Sequence, residues 1–162
     1  MAAVSCCWAA GKERPRAAVR WMRKTSSADS AALGALPAAA VVRAIAGAAE
    51  RWCDADFPPR VRATAAIERR LGYTTPVVDY ALDRLFGAIT AGALRAAIVD
   101  ELGSLDALDG FVERAGRPPA WARGAGAVTI VSSDTTIGVA IAPLLFALCA
   151  KCAVTVKDRS DD

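Results

Sequence analysis

The stretch "AVTIVSSDTTIGVAIAPLLFALCAKCAVTVK", residues 127–157, constrains this chain more than any other. Ala127–Val131 is a short β-branched run suited to a buried strand, Ser132-Ser133-Asp134 is a small polar turn, and Ala153–Lys157 is a second short strand. The mostly apolar segment between them, from about Thr135 to Lys151, predicts a helix. Two strands joined by a crossover helix lie parallel, and open parallel sheets bind ligands beyond the carboxyl ends of their strands. Ser132–Asp134 and Lys157 both fall at that edge. A helix start close to the turn would offer backbone amides to a phosphate, with a Lys nearby to add charge. The turn carries neither a G-x-G-x-x-G nor a G-x-x-x-x-G-K-[ST] pattern, so spacing alone fits a structural βαβ unit equally well.

Upstream the period changes to that of helices. From Pro37 to Cys53, residues Val41, Val42, Ile45, Ala48, Ala49 and Trp52 form one apolar face, while Arg43, Glu50 and Arg51 can reach water. This pattern is expected of a surface helix in a larger assembly. After "DADFPPR" breaks it, Arg60–Leu71 resumes helical spacing and Gly72 supplies a C-terminal cap. In "GYTTPVVDYALDRLFGAI", Thr75 is expected to cap a helix with Pro76 in its first turn and Val78, Leu82, Leu85, Phe86 and Ile89 on one face. A further helix is expected over Thr90–Leu102, with Leu94, Ile98 and Leu102 inward and Gly103 at its end. "SLDALDGFVERAGRPPAWARGAG" reads as a short helix followed by a Pro/Gly-rich crossing loop. The expected fold is therefore α/β: a flexible leader over 1–35, a helical segment over 36–124, and the start of a parallel sheet over 125–162.

Charge and residue usage exclude several function classes. Twenty Lys+Arg against 17 Asp+Glu leave a formal +3, too little to argue for nucleic acid or an anionic membrane. The basic residues near the start, Lys12 to Lys24 with Trp21 among them, come with no nucleic-acid fold signature and read as a solvated tail. The amino terminus lacks the basic n-region of an export signal. The apolar run Thr135–Ala150 is shorter than the about 20 residues that span a bilayer, and contains Gly138 and Pro143. The expectation is a cytoplasmic protein with no membrane or nucleic-acid partner; a loosely inserted membrane segment is the weakest alternative.

The chain contains no His, which removes Ser-His-Asp and Cys-His catalysis and His-ligated metals. Its five cysteines are an odd number, consistent with reduced thiols. Cys149 and Cys152 have the C-x-x-C spacing, but they follow an apolar helical stretch instead of opening one, and zinc would need two further ligands. They read as packing residues, with no metal site.

Residues 127–157 resemble the first strand–helix–strand of the nucleotide-binding domain in the aldehyde dehydrogenase superfamily, whose members carry Asn and Pro in the turn and Lys ending the next strand. Asp134 and Thr136 fall at the Asn and Pro positions and Lys157 on the Lys. Lys151, "RLGYTTPVVDYALDRLF" and "LDALDGFVE" resemble the acyl-CoA reductase branch, similar to the fatty-acid reductase of bacterial luminescence. The resemblance covers about Ala38–Asp162. It implies an incomplete Rossmann-like unit that takes NAD or NADP, with Ser132, Ser133 and Lys157 near the adenosine part. It also implies acyl-CoA or aldehyde as the substrate of a full-length form. At the position of the Asn that stabilises the oxyanion, an ionised Asp134 offers an acceptor and a like charge. Ser160 stands where a Glu often contacts the ribose. By the same resemblance the nucleophilic Cys and general base follow beyond Asp162, so the expectation is the front part of such an oxidoreductase, inactive alone. The alternative is a small non-catalytic helical protein that binds a partner, or itself as a homo-oligomer, through the apolar helix and the sheet edge.

Overall fold

The computed structural model describes residues 27–132 and 137–157. Five helices come first: α1 (Ser27–Gly34), α2 (Ala38–Trp52), α3 (Pro58–Leu71), α4 (Thr75–Gly87) and α5 (Ala91–Leu102). Their ends follow local chemistry. Pro58 and Pro59 occupy the first turn of α3, where no intrahelical N–H partner is lost, and Gly72 closes it at φ 71° with its N–H on Glu68 O. Thr90 accepts from Ala93 N at 3.1 Å to cap α5, and Gly103 ends it at φ 81°. At α4 the N-cap is Thr74 rather than Thr75. Thr75 lies inside the helix, and its hydroxyl bonds the Glu68 carboxylate of α3.

α2 is not peripheral. It packs against α4, α5 and, further along the chain, α6 (Ile141–Cys149), burying Ala38, Val41, Val42 and Ala49. Small side chains let neighbours approach from several sides, while Arg43, Glu50 and Arg51 keep one strip in water. Against α2 lie Val78 and Leu82 of α4 and Leu94 and Ile98 of α5, all buried. Leu105 and Leu108 of a 3-10 turn, Leu105–Leu108, complete this wall.

The expected crossing loop contains a hairpin. β1 (Val112–Arg114) pairs antiparallel with β2 (Arg117–Ala120) around a tight turn in which Gly116 takes φ 67°. Pro118 and Pro119 lack ladder donors and so hide the second strand from a pattern reading. The Arg114 guanidinium secures the turn by donating to Pro118 O at 3.1 and 3.0 Å. Beyond it, Ala122 N donates to Ala107 O at 2.7 Å, tying the next stretch to the core.

β3 (Ala127–Val131) and β4 (Ala153–Lys157) have the expected bounds and pair in parallel, in register from Ala127↔Ala153 to Val131↔Lys157. The helix between them, α6 (Ile141–Cys149), has nine residues and is much shorter than the expected Thr135–Lys151. Gly138 adopts φ 76° in the turn before it, at a position where a Cβ would run into Leu85 of α4. α6 ends in a Schellman arrangement, with Cys152 N on Ala147 O and Lys151 N on Leu148 O, both at 2.9 Å. The left-handed residue is Lys151, φ 59°, where glycine is usual. The architecture is thus α/β, with N-terminal helices followed by a small parallel sheet. α6 packs on both strands, while Val131 and Val156 remain 72% and 42% exposed. Among the described residues no helix is long and apolar enough to cross a membrane.

Candidate functional site

The parallel register brings two of the expected site residues together. Val131 pairs with Lys157, and Ser132 N donates to Lys157 O at 2.9 Å, carrying the ladder one residue past β3. Ser132 and Lys157 therefore stand side by side at the carboxyl edge of the sheet, Ser132 half-buried and Lys157 exposed. Ser133, Asp134 and Thr136 lie outside the described residues.

One expectation about this edge is corrected. α6 does not start at the Ser132–Asp134 turn: its first residue is Ile141, and residues 133–140 intervene. The Ser132 amide is engaged by Lys157 O, so it is not a free donor for a phosphate. Among the described residues the edge presents the Lys157 side chain beside Ser132, a cation at the end of its strand. A helix-start phosphate cradle at Ser132 does not fit this geometry.

The thiols are arranged for packing. Cys149 is 2% exposed within the cluster of Ala38, Val42, Leu94 and Ile98, and burial pushes its thiol above the ordinary range. Cys152, equally buried, directs its thiol to Ala150 O at 3.7 Å and abuts Gly124, where a Cβ would sit 2.6 Å from its Sγ. Neither forms a disulfide, and Cys53, also unbridged, lies exposed just after α2. Burial hides both thiols from a reactant and holds that of Cys149 protonated, so the C-x-x-C pair is not presented as a reactive centre. Among the described residues no group of three or more His, Cys, Asp or Glu could hold a metal.

Two charge arrangements escaped the sequence reading. Asp109, after the 3-10 turn, accepts the Ala38 amide with both oxygens at 3.0 and 3.1 Å, and its carboxylate also pairs with the Lys151 ammonium. It caps α2 from 71 residues away, because Pro37 at the N-cap position has no side-chain acceptor to offer. The second centres on Arg60, 2% exposed, which donates to Trp52 O at 2.9 Å and pairs with Asp83 at 2.6 Å and Asp79 at 3.5 Å. The hydrogen bond to Asp83 outweighs desolvation and raises its pKa, so Arg60 stays charged. The only sequence signals were Pro37 without a polar cap and an Arg at the start of an otherwise amphipathic helix.

A parallel pair with a crossover helix, a cationic residue at its carboxyl edge and a helical body in front defines a mixed α/β chain with a small parallel sheet. Residues 33–162 match the family model for acyl-CoA reductase (LuxC), and the chain belongs to that family of oxidoreductases. No curated protein and no solved structure matches it.

Proposed function

We propose that this chain supplies the opening part of the Rossmann-like NAD(P)-binding region of an acyl-CoA reductase related to the aldehyde dehydrogenases, and does not reduce a thioester by itself. The observation that carries this reading is the in-register end of β3 and β4, which sets Ser132 beside the exposed Lys157 at one sheet edge. In this reading Lys157 and Ser132, with Ser133 of the same turn, hold the adenosine side of NAD or NADP, and the bound cofactor supplies the hydride. The Lys157 ammonium binds ribose hydroxyls or phosphate as a compact point charge. Reduction of an acyl-CoA also needs an accessible thiolate to take the acyl group. Among the described cysteines, Cys149 and Cys152 are buried and Cys53 is remote in the chain from the sheet edge, so none of these three is assigned that role; Cys6 and Cys7 lie outside the described residues.

Amine modification of the intact chain, read residue by residue by mass spectrometry, tests the cofactor assignment. Millimolar NAD or NADP is expected to slow modification of Lys157 while leaving Lys151, already paired with Asp109, unchanged. Equal labelling of Lys157 with and without either dinucleotide overturns the cofactor role. Formation of a stable acyl-protein adduct from acyl-CoA would overturn the claim that the chain lacks the chemical step.

A further inference from the structure

A second cleft lies at the amino edge of the β3–β4 pair, at the opposite end of the strands from Ser132 and Lys157. It measures about 220 Å³ and opens between the 3-10 turn, the segment Trp121–Gly126 that leads into β3, and the end of α6. The charged side chains lining it are Arg123, Lys151 and Asp109, two cations and one carboxylate. Asp109 is already compensated, since both its oxygens accept the Ala38 amide and one also takes the Lys151 ammonium. Lys151 spends one of its three N–H donors on Asp109, and no other partner holds its ammonium among the described residues, although the side chain is only 12% exposed. The Arg123 guanidinium lies 4.7 Å from the centre of the Trp121 ring and makes no hydrogen bond or ion pair among the described residues.

The cleft therefore holds one uncompensated positive charge and a set of N–H donors without acceptors. Its apolar wall is Trp121, 41% exposed and met edge-on by Phe111 at 5.6 Å, with Leu108 beside it. The position of Lys151 adds to the pattern. It takes φ 59°, where glycine is usual, so the chain accepts an unfavoured backbone at the one residue whose side chain brings an ammonium here. We infer that this cleft binds a small carboxylate, its charged end on Arg123 and Lys151 and its apolar body on Trp121. A guanidinium receives a carboxylate through two parallel N–H···O bonds, and an ammonium adds a point charge from the side. A monoanion matches the single free charge, whereas a phosphate dianion leaves one charge unmatched and the Trp121 wall unused. Lys151 precedes β4 and Lys157 ends it, so this site and the proposed cofactor edge are reported by different amides.

Titration of the full chain with benzoate, followed through its assigned amide resonances, tests this. Benzoate is expected to shift the amides of Arg123, Gly124 and Gly126 and the Trp121 indole along one saturating millimolar curve, and to leave Lys157 unmoved. Benzyl alcohol, which has the ring without the charge, and inorganic phosphate, which has charge without the ring, should each bind about tenfold more weakly. Arg123→Ala should weaken benzoate about tenfold, and because the residue is exposed the urea midpoint should stay at the wild-type value. Lys151→Gly should also weaken benzoate about tenfold; glycine suits the left-handed backbone, so the amide spectrum of α2 to α5 should be retained. Absence of a saturable shift, equal binding of benzyl alcohol or of phosphate, or unchanged benzoate affinity in either variant would each overturn the proposal.

Discussion

The helical body formed by α2, α3, α4 and α5 and the β3–α6–β4 unit are stabilised in different ways. In the body, helix ends are closed largely by neighbouring residues such as Thr90, Gly72 and Gly103, and the apolar faces meet one another directly. The βαβ unit has few such resources of its own. Two parallel strands cover little of each other, Val131 and Val156 reach water from opposite faces of the pair, and the best-buried side chains, Cys149 and Cys152, are buried at the junction with the rest of the chain. Parallel strands normally have both faces covered. The comparison teaches that this unit is held by its attachment to the body: Cys149 in the common core, Asp109 on Lys151, and Gly124 against the Ala150 carbonyl and Cys152.

The largest effect should come from the body. Ile98→Ala opens a cavity in the common cluster and is expected to cost about 2–5 kcal/mol in urea unfolding, lowering protection of helical and sheet amides alike. If hydrogen exchange showed the sheet unaffected, the two regions would be independent and the comparison would fail.

Asp109→Ala removes the α2 cap and strands the Lys151 ammonium, whose side chain is 12% exposed, for a loss of about 2–3 kcal/mol. Exchange should accelerate in β4 and at the first turn of α2 together. Gly124→Ala forces a Cβ against a backbone carbonyl and the Cys152 thiol, for about 1–3 kcal/mol. Its signature is local: Cys152 becomes open to alkylation while α4 and α5 keep their protection. Thr90→Ala, which deletes one cap inside the body, should cost about 1 kcal/mol and leave Cys152 protected.

The smallest effect is a pH dependence. Because burial raises the Cys149 pKa in the fold, the unfolded chain loses this proton first. The contribution is fully present below the unfolded thiol's ordinary range and is lost as pH rises towards the folded value. Cys149→Ala should flatten that alkaline decline in stability relative to wild type, as read from urea midpoints on either side of the thiol range. An unchanged slope would place the titrating group elsewhere.

Legibility in the sequence followed the same division. β3 and β4 were readable to the residue, since a β-branched run between small polar residues and a short run ending in Lys leave little choice of bounds. The helix faces through Val41 and Val42, Val78 and Leu82, and Leu94 and Ile98 were readable because period 3.6 survives any arrangement of neighbours. The β1–β2 hairpin was not, because Pro118 and Pro119 oppose a strand and only pairing with Val112–Arg114 overrides them. The length of α6 was not readable either: the apolar run continues through Ile137–Ala140, yet Gly138 turns there against Leu85 of another helix. At the candidate site, the edge position of Ser132 and Lys157 came from strand order, whereas the engagement of the Ser132 amide by Lys157 O required the actual register.

What the sequence determined by itself was the helices α2 to α5, the strands β3 and β4 and the parallel sense of their pairing, because periodicity, caps and crossover chirality are local or topological. Only the tertiary structure decided that Asp109 caps α2 and holds Lys151 and that Arg60 is buried among Trp52, Asp79 and Asp83. Those outcomes depend on which groups, distant in the chain, lose water together. Desolvation and charge pairing act between neighbours in space, and the spacing of residues along a chain does not encode them.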